Sequence, residues 1–159
     1  MAVDMFIKID DIKGEASDAK HKDEIDVLSW TWGVSQAGSA HQGSGTGTGK
    51  ATIRDVSFTK YLDRSTPVLM KYCCKGKFFQ QATLYVRKAG DKPVEYIKLD
   101  MSHGLITSVT NGGSGHDERL TETITVSFKS FKLEYTPQKD GKSEPVVPMG
   151  WDIAKNTEC

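Results

Sequence analysis

Cysteine is scarce in this chain. Cys73, Cys74 and Cys159 are the only three among 159 residues, too few and odd in number for a disulfide framework. Proline is also sparse, and three of the five fall between Thr136 and Pro148, a polar stretch that reads as an irregular surface segment. Net charge is absent: 21 Lys and Arg balance 21 Asp and Glu, so no overall basic field draws the chain to nucleic acid. Long apolar runs are missing too. Mean hydropathy is -0.45, and nothing approaches the roughly 20 apolar residues of a membrane-spanning helix. The start, Met1-Ala-Val-Asp-Met-Phe-Ile-Lys-Ile, lacks the basic head, apolar middle and cleavage site of a secretory signal. Synthesis in the cytoplasm is expected, with any export by a route that reads no such signal. The length suits one domain, residues 1–159, with a core of its own.

What is present is alternation with period two, the pattern of half-buried strands. It runs through Met5 to Asp10, Ile25 to Ser35, Ala51 to Phe58, Ala82 to Arg87 and Val94 to Met101. Ala89-Gly-Asp-Lys-Pro93 reads as a turn joining the last two. Leu105 to Val109 continues past a bend at His103-Gly104. In Ile25 to Ser35, Leu28, Trp30, Trp32 and Val34 share one face and are the candidate core. Ser29, Thr31, Gly33 and Ser35 line the other. Leu120 to Tyr135 is the longest run. Its apolar phase flips between Phe128 and Phe131, which predicts a bulge or a passage between sheets. One helix is predicted at about 65–75, with Ser65 at the N-cap, Pro67 in the first turn and Gly76 as terminator. Trp151 and Ile153 are expected to dock on something apolar. The fold expected is mainly β: an antiparallel barrel of two sheets with one short flanking helix.

Motifs for catalysis and metal binding fail on inspection. The Gly-rich loop ending at Gly49-Lys50 has Ser44 where a phosphate loop needs its first glycine, and Ala51 where it needs Ser or Thr. Ser114 lies among glycines, but His116 replaces the last glycine of a nucleophile elbow, and no helix follows. His21, His41, His103 and His116 are scattered without metal-ligand spacing. Cys73 and Cys74 are adjacent on the helix and read as small buried residues. Trp30 and Trp32 share the apolar face with no interleaved basic residue, so core packing is expected rather than base stacking. No catalytic residue, cofactor or metal is expected.

Several blocks, taken in order, resemble one family. They are the opening nonapeptide, Ile25-Asp-Val-Leu-Ser-Trp-Thr-Trp-Gly33, Ser57-Phe-Thr-Lys-Tyr-Leu-Asp-Arg-Ser-Thr-Pro67, Tyr85-Val-Arg-Lys-Ala-Gly90, Arg119-Leu-Thr-Glu122 and Gly150-Trp151. They resemble the Hcp (haemolysin co-regulated protein) family, the tube protein of the bacterial type VI secretion system. The resemblance implies hexameric rings stacked into a tube inside a contractile sheath, with a spike at the tip and effector proteins in the pore. It also implies secretion without a signal peptide and no catalysis. On that footing Ser29 and Thr31 are expected to face the pore and touch cargo, the alternative being outer solvent. The loop Ser39 to Gly49 (Ser39, His41, Gln42, Gly43, Ser44, Gly45, Thr46, Gly47, Thr48 and Gly49) is expected to reach the neighbouring ring, the alternative being a flexible tip. The partners implied are further copies of the chain, spike, sheath and effectors, with neither nucleic acid nor a membrane span. The competing readings are a small-ligand barrel with an enclosed apolar interior and a hydrolase using Ser114.

Overall fold

The structure is a computed structural model describing residues 3–38, 50–89, 94–139 and 142–159. In chain order the elements are β1 (Val3–Ile9), β2 (Ile25–Asp26), β3 (Ser29–Thr31), β4 (Val34–Ser35), β5 (Thr52–Ile53), β6 (Val56–Tyr61), α1 (Thr66–Lys75), β7 (Phe78–Lys88), β8 (Val94–Gly112), β9 (Thr121–Tyr135), β10 (Gln138–Lys139), β11 (Lys142–Ser143), β12 (Val147–Asp152) and β13 (Thr157–Glu158). Every strand pairing is antiparallel.

The strands close on themselves. β1 pairs with β7, β7 with β8, β8 with β9, and β9 with β6. The gap between β6 and β1 is bridged by a short stretch that changes partners: β2 pairs with β1 and β3 with β6. The hand-over is visible in single bonds. Val27 N–H donates to the Met5 carbonyl at 2.9 Å, and Leu28 N–H donates to the Thr59 carbonyl at 2.8 Å. Ile7, Ile25, Val56, Phe58, Leu84, Leu99, Met101, Ile106, Ile124 and Val126 fill the interior and are almost fully buried. The space that a small-ligand carrier would use is therefore occupied by side chains.

The hairpin of β8 and β9 carries the corner. Inward residues run Leu99, Met101 on β8 and then Gly104, Ile106. On β9 they run Ile124, Val126, Phe128 and then Phe131. Each series takes one odd step, and the two steps lie opposite one another, because Ser102 pairs with Ser130 and Gly104 with Phe128. His103 adopts a left-handed φ of 53° at this point. Gly104 is required here: a Cβ would overlap the Phe79 ring and the Ser127 carbonyl. Both the bend at His103-Gly104 and the phase flip on β9 are as the pattern predicts. A further irregularity follows at Thr107, where Ile106 pairs with Val126 but Ser108 pairs with Thr125.

The helix is Thr66–Lys75, and it ends at Gly76 with φ of 60°. Leu69 is its fully buried anchor, and the helix packs on β8. Ser65 occupies the N-cap position without capping: its hydroxyl donates to Asp63, whose carboxylate also accepts the Ser65 N–H at 2.9 Å. Trp151 and Ile153 pack against the core as expected.

Five expectations need correction. Ile25 to Ser35 is three short strands, not one. Ile25 and Val27 point inward, the phase slips at Leu28 where the backbone changes partners, and Trp30 and Trp32 then take the inner side. Leu28 is consequently 39% exposed. Val34 is 58% exposed, because beyond Gly33 the chain leaves the barrel and pairs with β5 in a separate two-stranded sheet. Ala51 to Phe58 is likewise broken, into β5 and β6, with Arg54 N–H donating to the Gly33 carbonyl between them. Cys74 is exposed rather than buried, being carried on the outer side of α1, while Cys73 is half-buried.

Candidate functional site

The outer side of β3, β6, β9 and β8 is a lattice of hydroxyls. Register aligns two rows across the four strands: Ser29, Thr59, Thr123, Thr110 and Thr31, Ser57, Thr125, Ser108. Side chains alternate along a strand, so these eight face away from the row Trp30, Phe58, Ile124, Val109 that packs in the core. The hydroxyls bond one another: Ser57 to Thr125 at 3.0 Å, Thr59 to Thr123 at 3.4 Å and Ser108 to Thr110 at 3.3 Å. The lattice carries no charge. Every member can donate or accept, so the face can satisfy either kind of polar partner by rotating O–H bonds. Ser29 and Thr31, the two residues predicted to meet cargo, form one edge of it and are exposed. The other six went unassigned from sequence. The signal was present as Ser and Thr at alternate positions in each strand, but which strands lie side by side was not.

Directly behind the lattice is a buried ion cluster. Lys60 is 0% exposed. Its ammonium donates to the Tyr61 carbonyl at 2.8 Å and pairs with Asp63 at 3.0 Å and Glu122 at 3.1 Å. Thr66, the first helical residue, donates its hydroxyl to the same Glu122 oxygen. Lys60 and Glu122 are register partners on β6 and β9. The cluster therefore ties two strands to the helix start. Leu62 N–H donates to the Leu120 carbonyl at 3.0 Å, and the Arg119 guanidinium lies 3.8 Å from the Tyr61 ring centroid. Two of the sequence blocks that carry the resemblance, Ser57 to Pro67 and Arg119 to Glu122, thus meet here.

A second polar cluster lies on the outer wall of β1 and β7. Arg87 pairs with Asp18, one guanidinium N–H donating at 3.0 Å, and its other terminal nitrogen also reaches Asp4. The hydrogen bond from Arg87, ahead of the smaller opposing effect of burial, holds the Asp18 carboxyl down at about 2. His21 is buried between the Phe6 and Tyr85 rings.

The remaining candidates do not assemble. Ser114, His116 and Asp117 share one exposed turn, where the Ser114 hydroxyl accepts the His116 backbone N–H at 3.3 Å and the Asp117 carboxylate accepts that of Ser114 at 2.9 Å. That is turn chemistry, with no imidazole aimed at the hydroxyl. Among the described residues, no group of three or more His, Cys, Asp or Glu could hold a metal ion. No helix of the described residues is long and apolar enough to cross a membrane. The predicted stacking loop, Ser39 to Gly49, lies outside the described residues.

Residues 6–135 match the family described as "Type VI secretion system effector, Hcp". The chain is 52% identical to Protein hcp1 of Pseudomonas aeruginosa over 162 aligned positions that cover all of both chains. The crystal structure of Hcp1 from Salmonella typhimurium superposes with a TM-score of 0.85 at 40% identity, covering both chains completely. A type VI secretion system effector from Yersinia pestis gives 0.77 at 38% identity over 94% of this chain and 99% of that one. This chain belongs to the Hcp family of the type VI secretion system.

Proposed function

We propose that the chain is the subunit of a hexameric ring, that rings stack head to tail into the expelled inner tube, and that the hydroxyl lattice lines the pore and holds effector proteins. The uncharged lattice is the observation that carries this reading. An inner wall that must release diverse cargo benefits from neutral groups that form weak, rotatable hydrogen bonds and impose no charge preference. Ring closure by rotation is a heterologous contact and needs two different complementary patches. Two sets of exposed apolar side chains are available. Leu28 and Val34 flank β3, while Val147 and Met149 on β12 lie beside Tyr135 at the end of β9. The loop Ser39 to Gly49 is assigned to contact with the next ring, and the spike, the sheath and effectors are the outside partners. The activity is structural, without turnover.

Light scattering on the reduced protein, followed by electron microscopy of the same fraction, tests the assembly: six-subunit rings with an open pore are expected, and a monomer at high concentration would overturn it. Thr31→Arg tests the lattice. Rings should persist while retention of co-expressed cargo falls; loss of rings would move Thr31 from the pore to a subunit contact. Shortening Ser39 to Gly49 should spare hexamers and weaken tubes.

A further inference from the structure

Residues 13–24 form a loop that folds on itself and lies over the outer wall of the barrel. Gly14 N–H donates to the Asp23 carbonyl at 2.7 Å, Ala16 N–H to Glu24 at 3.0 Å and Asp23 N–H to Ala16 at 2.9 Å. Two side chains tie the loop to the wall, Asp18 to Arg87 on β7 and His21 to Glu95 on β8.

The His21 tie is chemically unusual. Its side chain is buried, with the imidazole stacked on Phe6 at 4.6 Å and 16° and tilted against Tyr85 at 4.6 Å. Nδ1 lies 2.8 Å from a Glu24 carboxylate oxygen, and Nε2 contacts a Glu95 carboxylate oxygen. A neutral imidazole carries one N–H and one lone pair, so it can satisfy only one of two acceptors. Two carboxylates at opposite nitrogens require both N–H groups, and hence the imidazolium.

The surrounding charge points the same way. From β1 come Asp4 and Phe6, from β7 Tyr85 and Arg87, from β8 Glu95 and Asp100, and from the loop itself Asp18 and Glu24. Arg87 faces Asp4 and Asp18, and Lys98 lies 3.8 Å from Asp100, so a charged His21 is the partner left for Glu24 and Glu95. The Tyr85 phenol is pushed up by burial and then by the charges of Glu24, Asp100 and Glu95, so it stays neutral where histidine titrates.

We propose that His21 is a proton-dependent latch: as an imidazolium it pins the 13–24 loop across β1 and β7 through Glu24 and Glu95, and loss of its proton loosens the loop. The sign follows from which form makes both bonds. The latch is closed when His21 is charged and both carboxylates are ionised, and it opens when the imidazolium gives up its proton. The Asp18–Arg87 tie stays in place as pH rises, since Asp18 is ionised above about pH 2. Opening is therefore a loosening around two remaining tethers, Asp18 to Arg87 and the Glu15 carboxylate that accepts the Arg64 N–H at 3.0 Å, and it uncovers the face of Phe6 that the His21 ring now covers.

The test is nitrogen NMR of the His21 ring together with amide exchange of the 13–24 loop from pH 6 to 8.5, on the full chain at constant solution mass. Both ring nitrogens should carry protons at pH 6. After correction for the intrinsic pH dependence of exchange, protection at Gly14, Ala16, Asp23 and Glu24 should fall more than about tenfold by pH 8.5 while β7 is unchanged. His21→Gln should hold the loop loosely at every pH, and Glu95→Gln should flatten the pH response. A neutral His21 tautomer at pH 6 would overturn the proposal, as would equal pH-dependent loosening in His21→Gln.

Discussion

Replacing Lys60 with methionine removes the only cation from a cluster that holds two carboxylates out of water. Glu122 is completely buried and Asp63 nearly so. One Glu122 oxygen already lacks a protein partner, so the carboxylate depends on Lys60 and Thr66 at the other. Breaking a buried pair from one side costs about 3–5 kcal/mol, because the surviving charge is left uncompensated. That is a large share of the ~5–15 kcal/mol by which a domain is stable. Removing both partners has a different outcome. In Lys60→Met/Glu122→Leu the buried site becomes apolar, Asp63 keeps its bonds to Ser65, and the loss should be at most about 1–2 kcal/mol. The assay is urea unfolding of wild type, both single variants and the double variant, with slopes compared as well as midpoints and solution mass held constant. The expected result is strong coupling, with the double variant more stable than Lys60→Met. A single-variant loss below about 1 kcal/mol, or additive losses, would refute the account of the cluster as a charge-compensated unit.

Three further outcomes follow from other parts of the fold. Gly104→Ala forces a methyl into the Phe79 ring and the Ser127 carbonyl, and should lower stability by about 1–3 kcal/mol in urea unfolding. Leu69→Ala removes the one fully buried apolar anchor of α1, and should cost about 2–5 kcal/mol while leaving far-UV strand content intact. Asp18 has a folded value below the ordinary 3.8, at about 2. Its contribution is therefore fully present above that ordinary value and is lost as pH falls through the folded one. Asp18→Asn should be less stable than wild type at pH 6, and acid titration should bring the two together as pH falls from 4 to 2.

Much of the architecture is visible in the sequence where one face is continuously apolar. Ile124, Val126, Phe128 and then Phe131 encode both a strand and its corner, because an odd step cannot keep a pleated strand on one side. Gly76 ends the helix where a left-handed residue is needed. Legibility fails at Leu28 and Val34. Alternation there looks unbroken, but hydrogen-bond partners change mid-segment, and that information belongs to strands about 20 and 30 residues away. The site divides the same way. Ser29 and Thr31 stand out locally, whereas the eight-hydroxyl lattice exists only through the register of four strands. The His21 latch was invisible for a related reason: Glu95, 74 positions away in the chain, is what turns a lone histidine into a bridged one.

The bridging stretch between β1 and β6 has a kinetic consequence. It pairs through two residues on one side and three on the other, whereas the β7–β8–β9 meander is built from long hairpins between strands adjacent in sequence. Local hairpins close cheap loops and form early. β1 must find β7 about 80 residues away, and the bridging stretch can lock only after both of its neighbours are in place. The barrel is thus expected to zip from its meander and shut at this seam, and on unfolding to part there first.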